Sequence, residues 1–186
     1  MQKPSGYDQA PAYTGESFAL PSGGYVCKIL QAEEATSTSG RPMLVLLLDI
    51  AEGEFKDYYR QRFDRVKQTD PDAKWGCVFR QLTDGNSTPF FKGMITSIEV
   101  SNSGYKWNWD EKTLSGKLVG ALFGREQYLG NGGNLKWSTK CQALRSVETI
   151  RSGKFEVPED KHVAGYQSQS SPDVFSPVED NGDLPF

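Results

Sequence analysis

Histidine and cysteine are scarce in this chain of 186 residues, and the patterns of common catalytic sites are missing. The single histidine, His162, lies in a polar stretch near the C-terminus, so Ser-His or Cys-His catalysis lacks a base in the body of the chain. The phosphate-binding pattern Gly-x-x-x-x-Gly-Lys-Ser/Thr does not occur. We therefore expect neither an enzyme nor a bound cofactor, with a Mg²⁺-dependent nuclease built from scattered carboxylates as the enzymatic alternative.

The cysteines and the short apolar runs exclude two further classes of protein. Cys27, Cys77 and Cys141 lie far apart, are odd in number and form no Cys-x-x-Cys pair, which favours small buried side chains in a reducing compartment over a disulfide or a metal site. The longest apolar run covers residues 43–48, whereas a membrane span needs about 20 residues. The N-terminus also lacks the apolar core of a secretory signal. These absences predict a cytoplasmic protein without a membrane span.

Charge is distributed unevenly along the chain. The net charge is −3 in total, but residues 157–186 contain six acids and one lysine, a net −5, which leaves +2 for residues 1–156. A slightly basic body with an acidic tail suggests a nucleic-acid partner. The asymmetry also indicates that the tail has a role of its own.

Composition divides the chain into three parts. Residues 1–15 are rich in Pro, Gly, Gln and Ala, which predicts a flexible lead-in. Residues 16–157 contain the apolar periodicity of a folded domain. Residues 158–186 offer few aliphatic side chains to offset the entropy of ordering, so they are predicted to be a disordered linker that ends in an acidic tip.

The periodicity of the central part predicts a mainly β fold. Apolar runs and alternation predict strands at residues 24–33, 43–50, 55–63, 117–128 and 135–147. Helical spacing of apolar residues predicts two helices between the third and fourth strands. The first carries Trp75, Val78, Phe79 and Leu82, and the second starts at Thr88 and Pro89 and carries Phe91, Met94, Ile95 and Ile98. This order is that of a five-stranded OB-fold barrel with one or two helices between strands 3 and 4.

The predicted third strand carries the candidate DNA-binding face. Alternation places Phe55, Tyr59 and Phe63 on the core side of that strand. The other side then presents Lys56, Tyr58, Arg60 and Arg62. Single-stranded DNA is held by cations along its phosphates and by flat rings that stack on bases, and this row supplies both. The OB fold binds oligonucleotides on the face of strands 2 and 3, where the row is expected to lie.

Further candidates for DNA contacts lie outside the third strand. They are Arg41 in the first loop, Lys136 and Lys140 on the fifth strand, and Trp107 and Trp109 before the fourth strand. The two tryptophans stack on bases if they are exposed, or close one end of the barrel if they are buried. Burial is the favoured arrangement, and the sequence leaves both open.

The C-terminal residues form an unusual acidic tip. Its candidate partner-binding residues are Glu179, Asp180, Asp183, Leu184, Pro185 and Phe186. A terminus of the form Asp-x-Pro-Phe is expected by chance in about one chain in ten thousand. Phe186 would act as a hydrophobic plug that carries its own carboxylate, while Pro185 limits the entropy lost on docking. A generic solubilising tail is the alternative, but it explains only the acidic residues and not the terminal Leu-Pro-Phe.

The tip resembles the acidic Asp-x-x-Pro-Phe end of bacterial single-stranded DNA-binding proteins, and the body resembles the OB-fold single-stranded DNA-binding proteins of bacteriophages and prophages. The body resemblance rests on Leu-Pro-Ser-Gly-Gly-Tyr (residues 20–25), on residues 32–44 and on Gly-Lys-Leu-Val-Gly-Ala (residues 116–121). It implies a protein of the bacterial host cytoplasm that coats single-stranded DNA without sequence specificity. It also implies that the tip recruits replication or recombination proteins. A non-enzymatic phage adaptor with little affinity for DNA is the alternative, and self-association is left open.

Overall fold

The fold is built on one five-stranded antiparallel sheet. The computed structural model describes residues 19–130 and 132–163, so the predicted lead-in and the acidic tip lie outside the described residues. The strands are β1 (Gly23–Thr36), β2 (Pro42–Ile50), β3 (Val78–Leu82), β4 (Leu118–Leu129) and β5 (Leu135–Arg145). They lie in the order β3-β2-β1-β4-β5, and every neighbouring pair is antiparallel. The mainly β fold predicted from the periodicity is confirmed.

The described residues also form three α-helices. Helix α1 (Tyr58–Lys67) follows β2, α2 (Thr88–Ser101) lies between β3 and β4, and α3 (Val147–Arg151) follows β5. Single turns of 3-10 helix occur at Gly85–Ser87 and Glu111–Leu114. The strands predicted at β1, β2, β4 and β5 are confirmed, as is the helix with proline in its first turn. None of the helices in the described part of the chain is long and apolar enough to cross a membrane.

The third strand predicted at residues 55–63 is wrong, because this segment forms a turn and the first half of α1. Phe55, Tyr59 and Phe63 are spaced by four residues, which places side chains on one face of a strand and also nearly on one face of a helix. Their spacing therefore does not distinguish the two. The predicted outward row of Lys56, Tyr58, Arg60 and Arg62 consequently does not share one face.

The helix predicted around Trp75, Val78, Phe79 and Leu82 is also wrong, since residues 78–82 form β3. This strand pairs with residues 43–47 of β2. The backbone groups along that edge of β2 need hydrogen-bond partners, and a strand supplies them where a helix would not. The need of β2 for a hydrogen-bonded neighbouring strand thus outweighs the helical spacing of the apolar residues.

The sheet is not closed into a barrel, so this part of the barrel prediction is wrong. Closure would need a hydrogen-bonded ladder between the two edge strands, β3 and β5, and the described residues contain none. Helix α2 packs against β3, β4 and β5. Its apolar side contributes Phe91, Met94, Ile95 and Ile98 to the core. Helix packing therefore covers the core where the two edge strands do not pair.

The inner face of the sheet packs on the hydrophobic core, and the alternate side chains lie on the outer face. On β2 the inner residues are Leu44, Leu46, Leu48 and Ile50, all buried. Helix α1 adds the buried Tyr59, whose ring stacks on Phe123 of β4 with 6.1 Å between centroids. The core thus lies between the sheet, α1 and α2.

The C-terminal segment covers half of the outer face. Phe155 lies over Gly24 and Ile150 lies over Gly120, so closely that a Cβ on either glycine would be 2.5 Å from the covering side chain. Residues 160–163 then run beside β4, where the backbone of Lys161 bonds to the backbone of residues 125 and 127. Residues 158–163, predicted as the start of the linker, therefore pack on the sheet. They cover the outer side of β4 and β5, while Phe155 covers that of β1.

Asp49 on β2 is the one buried charged side chain among the described residues, with 5% of its surface exposed. Its carboxylate accepts hydrogen bonds from the backbone N–H groups of Ile50 (2.9 Å), Tyr59 (3.0 Å) and Arg60 (3.1 Å). The last two N–H groups belong to the first turn of α1 and have no acceptor within the helix. Burial raises the pKa of Asp49, although the three N–H donors oppose the rise. Asp49 thus anchors the start of α1 to the end of β2.

Replacing Asp49 with Ala should lower the free energy of unfolding by about 2–3 kcal/mol, because two N–H groups of α1 lose their acceptor. Asp49→Asn keeps one acceptor oxygen and should cost about half as much. Urea unfolding followed by circular dichroism measures both losses. Asp64→Ala, at an exposed position of the same helix, is the matched control. Equal losses for all three variants would contradict the anchor.

The attachment of the C-terminal segment should depend on pH. A hydrogen bond from Arg125 lowers the pKa of Asp160, and two lysines lower the pKa of Glu126 although partial burial opposes them. Carboxylates with lowered pKa values stabilise the fold when ionised, so this stabilisation is lost as the pH falls below about 4. The amide NMR signals of Gln127 and Lys161 should then shift, and Arg125→Ala should cause part of that shift at neutral pH. Signals that stay constant on acidification would contradict this ionic attachment.

Candidate nucleic-acid interface

A basic cleft lies where β1, β2 and α1 meet. Its lining includes Lys28 from β1, Lys56 from the turn before α1 and Arg60 from the first turn of α1. The cleft has a volume of about 350 Å³ and also contains Asp49 and Asp57. Asp49 is already engaged by three N–H groups. Three cations from two segments, β1 and the start of α1, thus converge on one concave surface, an arrangement that suits phosphate oxygens.

The outer face of β2 and β3 lies beside the basic cleft. The register pairs Val45 with Arg80 and Leu47 with Val78, so these side chains share the outer face with Lys28. The three aliphatic residues are half-buried, and Arg80 is exposed. This open outer face therefore combines an aliphatic strip with a fourth cation and with the exposed Glu33, which lies opposite Val45.

A stack of aromatic and cationic side chains holds Arg60 in place. The indole N–H of Trp75 donates to the carbonyl oxygen of Leu48 at 2.8 Å, which fixes the ring at the edge of β2. Phe63 of α1 lies 5.4 Å from the Trp75 ring, and the guanidinium of Arg60 lies 5.5 Å from it. Lys67 lies 5.1 Å from the Phe63 ring. Contacts between cations and aromatic faces are attractive, so the stack orients the first turns of α1.

Tyr58 and Arg62, predicted to lie beside Lys56 and Arg60, are placed elsewhere. Tyr58 is half-buried among aromatic rings, and its hydroxyl accepts a hydrogen bond from the backbone N–H of Leu20 at 3.2 Å. Arg62 is exposed, about 200° around the helix from Arg60. The structure therefore brings two members of the predicted row together and separates the other two.

Arg41, predicted as a loop contact with DNA, connects two loops of the protein. Its guanidinium donates to the Asp84 carboxylate at 2.7 and 3.0 Å and to the Asp84 carbonyl at 3.0 Å. The pair ties the β1–β2 loop to the segment after β3. A DNA phosphate would have to compete with this carboxylate.

Lys136 and Lys140 share one face of the β4–β5 hairpin, as the alternation of β5 predicts. Lys140 forms an ion pair with Glu126 at 3.1 Å, whereas Lys136 is exposed. Neither lysine lines the basic cleft. The structure thus places them apart from the cations of β1 and α1.

Of the two tryptophans, Trp107 packs against the protein and Trp109 is exposed. Trp107 is half-buried and packs edge-on against Phe91 of α2, with 5.5 Å between ring centroids. Trp109 is 77% exposed and packs on Trp107 at 4.6 Å. Neither tryptophan lines the basic cleft.

Sequence reasoning missed Lys28, Arg80 and Trp75 as members of this surface. Lys28 lies between the buried Cys27 and Ile29, so the alternation of β1 could have shown that it points outward. The outward direction of Arg80 follows only once β3 is placed at residues 78–82. Trp75 fits the helical spacing, which conceals its position at the edge of β2.

The cysteines and acids of the described part of the chain form no metal site. Cys27 and Cys77 are buried, Cys141 is half-buried, and none is paired. Burial raises the pKa of Cys77 to about 12. Within residues 19–130 and 132–163, no group of three or more His, Cys, Asp or Glu side chains could hold a metal ion.

The predicted partner-binding tip lies outside the described residues. This applies to Glu179, Asp180, Asp183, Leu184, Pro185 and Phe186. A scan against models of known protein families gives no match, and a search of curated proteins finds no similar sequence. Only the sequence and the geometry of the described residues therefore bear on function.

Proposed function

We propose that this protein binds single-stranded DNA through the basic cleft and the open outer face of β2 and β3. The convergence of Lys28, Lys56 and Arg60 carries the proposal, because three cations on one concave surface provide partners for the charges of a phosphate backbone. The aliphatic strip, with the exposed part of the half-buried Trp75 ring next to Arg60, offers apolar contact to bases. Such contacts tolerate any base, so binding would be independent of sequence.

The topology supports the same proposal. Five strands with a helix between the third and fourth are the elements of an OB fold, a partly open barrel that binds oligonucleotides on the face of strands 2 and 3. We propose that the sheet is an OB fold left open between β3 and β5. The face that such a fold uses is the half of the outer surface that the C-terminal segment leaves uncovered.

The acidic tip would recruit replication or recombination proteins to the coated strand. Its terminal Leu-Pro-Phe provides an apolar plug, and its acids complement a basic pocket rim. Many copies on one strand present many tips, which raises their effective concentration for a partner. DNA binding and recruitment would therefore reside in different parts of the chain.

Changing Lys28, Lys56 and Arg60 together to Ala should weaken binding to labelled oligo-dT about tenfold or more at low salt, because about three phosphate contacts are lost. For the wild type, log K should fall with log[salt] at a slope of about −2 to −3, and the triple variant should have a slope shallower by about 0.7 per lost contact. Fluorescence anisotropy measures both quantities. Circular dichroism checks that the variant is folded.

The matched control for this test changes Lys92, Lys112 and Lys154 to Ala, three exposed lysines that do not line the basic cleft. It removes the same charge and should leave the salt slope unchanged. Equal weakening by both triple variants would indicate a diffuse charge effect without a cleft. A wild-type protein that does not bind oligo-dT at low salt would overturn the proposal and favour the adaptor alternative.

Deleting Phe186 should abolish pull-down of the recruited proteins from a bacterial extract, because the apolar plug is lost. DNA affinity should stay the same, since the cleft is intact. Phe175→Ala, in the same C-terminal region, is the control for general loss of an aromatic residue. If the deletion variant still pulls down the same proteins, the tip acts only as a solubilising tail.

A further inference from the structure

Trp109 is held in an exposed position by its own loop. It is 77% exposed, and its φ of 69° is a left-handed conformation that is rare for a bulky residue. Its ring packs on Trp107, whose backbone N–H donates to Glu99 at 3.0 Å and whose indole N–H donates to the carbonyl of Asp110 at 3.3 Å. Strained backbone of this kind concentrates at functional sites. The contacts of its own loop therefore hold Trp109 in an exposed position.

A second cleft opens beside Trp107. We call this cleft and the adjacent Trp109 the tryptophan cleft. It has a volume of about 390 Å³ and lies between the end of β1, the start of β2 and the start of α2. Its lining includes Glu34, Thr36, Met43, Phe91 and Trp107. The cleft thus has an apolar floor and an acidic residue at its rim.

The charges around the tryptophan cleft favour a basic ligand over DNA. Glu34 lines the cleft, and Asp110, Glu111 and the exposed Lys112 follow Trp109 in the chain, so acids outnumber bases here by three to one. The neighbouring Lys106 is already neutralised by Glu99 at 2.9 Å. DNA phosphates would meet charges of the same sign here, whereas a cationic segment with an apolar tip would be complementary.

Helix α1, whose first turn is bonded to Asp49 near the far end of β2, presents such a segment. Val66 is 40% exposed, and the exposed Arg62 lies one turn before it. Arg65 is exposed on the same side of the helix. Within the described residues, neither arginine forms an ion pair. This side of α1 points away from Arg60, so it is not used by the basic cleft.

We propose that α1 of one copy docks into the tryptophan cleft of a second copy. Val66 would pack against Trp109, and Arg62 and Arg65 would face Glu34 and the acids that follow Trp109. The role of this contact between neighbouring copies on DNA rests on the proposed function. The contact itself depends only on the complementary charge and shape of the two surfaces.

The positions of the two surfaces make the contact head-to-tail. Helix α1 is anchored at Asp49 and Ile50, whereas the tryptophan cleft includes Pro42, Met43 and Leu44 at the other end of β2. The length of β2 separates them by about 27 Å. Because the contact joins two different surfaces, repeating it produces an open array unless the rotation between copies closes a ring. Each copy in the array keeps its basic cleft free for the same strand of DNA.

A contact of this size should be weak in free solution and effective between neighbours on one strand, where the effective concentration is high. Trp109→Ala should leave the affinity for dT of about 12 nucleotides unchanged, because this length suits one OB domain. On dT of about 60 nucleotides, which holds several copies, the wild type should gain about tenfold in affinity through cooperative binding, and the variant should lose this gain. Val100→Ala, at another exposed apolar position, is the matched control and should retain it.

A charge-swap experiment tests the contact without DNA. The wild type should self-associate at high protein concentration in sedimentation velocity. Arg62→Glu with Arg65→Glu in one variant, and Glu34→Lys in another, should each abolish this association. Mixing the two variants should restore pairwise association, because the unchanged cleft of the first variant then meets the unchanged α1 of the second. A wild type that stays monomeric at high concentration and binds long dT without cooperativity would overturn the proposal, as would a mixture that fails to associate. A protein that self-associates but binds no DNA would refute the proposed function alone.

Discussion

The hydrogen bonds from the start of α1 to the carboxylate of Asp49 hold the candidate interface together. A buried carboxylate is unfavourable unless donors surround it, and the three backbone N–H groups provide them. Because two of these donors are the orphan groups of α1, the same bonds satisfy the helix and the carboxylate. They direct Tyr59 into the core and place Arg60 next to Lys56 and Lys28. The basic cleft is therefore a consequence of how one helix is attached.

The C-terminal segment decides which part of the outer face is available. Phe155 and Ile150 occupy the space over Gly24 and Gly120, and the ion pair between Arg125 and Asp160 fastens the segment beside β4. The outer side of β2 and β3 carries no such cover among the described residues. An asymmetric sheet of this kind presents one basic and aliphatic face, and the acidic tryptophan cleft lies at the end of β2 that is farthest from α1. The arginines of α1 and the acids of the tryptophan cleft are therefore complementary, as the proposed head-to-tail contact requires.

Two segments show why the strand and helix assignments differ between sequence and structure. Phe55, Tyr59 and Phe63 recur every four residues, a spacing compatible with both periods, and the hydrogen bonds from Tyr59 and Arg60 to the carboxylate of Asp49 favour the helix. Residues 75–82 have helical spacing, yet the open edge of β2 requires a strand there. The strands at β1, β2, β4 and β5 were predictable because their apolar runs are long and unambiguous. The basic cleft was predictable only in part, since Lys56 and Arg60 were found and Lys28 was not.

The sequence by itself determined the mainly β fold, four of the five strands, the helix that begins at Thr88, and the uneven charge of body and tail. These depend on local periodicity and composition, which each segment carries within itself. Only the tertiary structure decided that residues 58–67 are helical, that the sheet stays open between β3 and β5, and which cations converge. Those outcomes depend on contacts between residues distant in sequence, such as Asp49 with Tyr59 and Trp75 with Leu48, and no local pattern encodes such a contact.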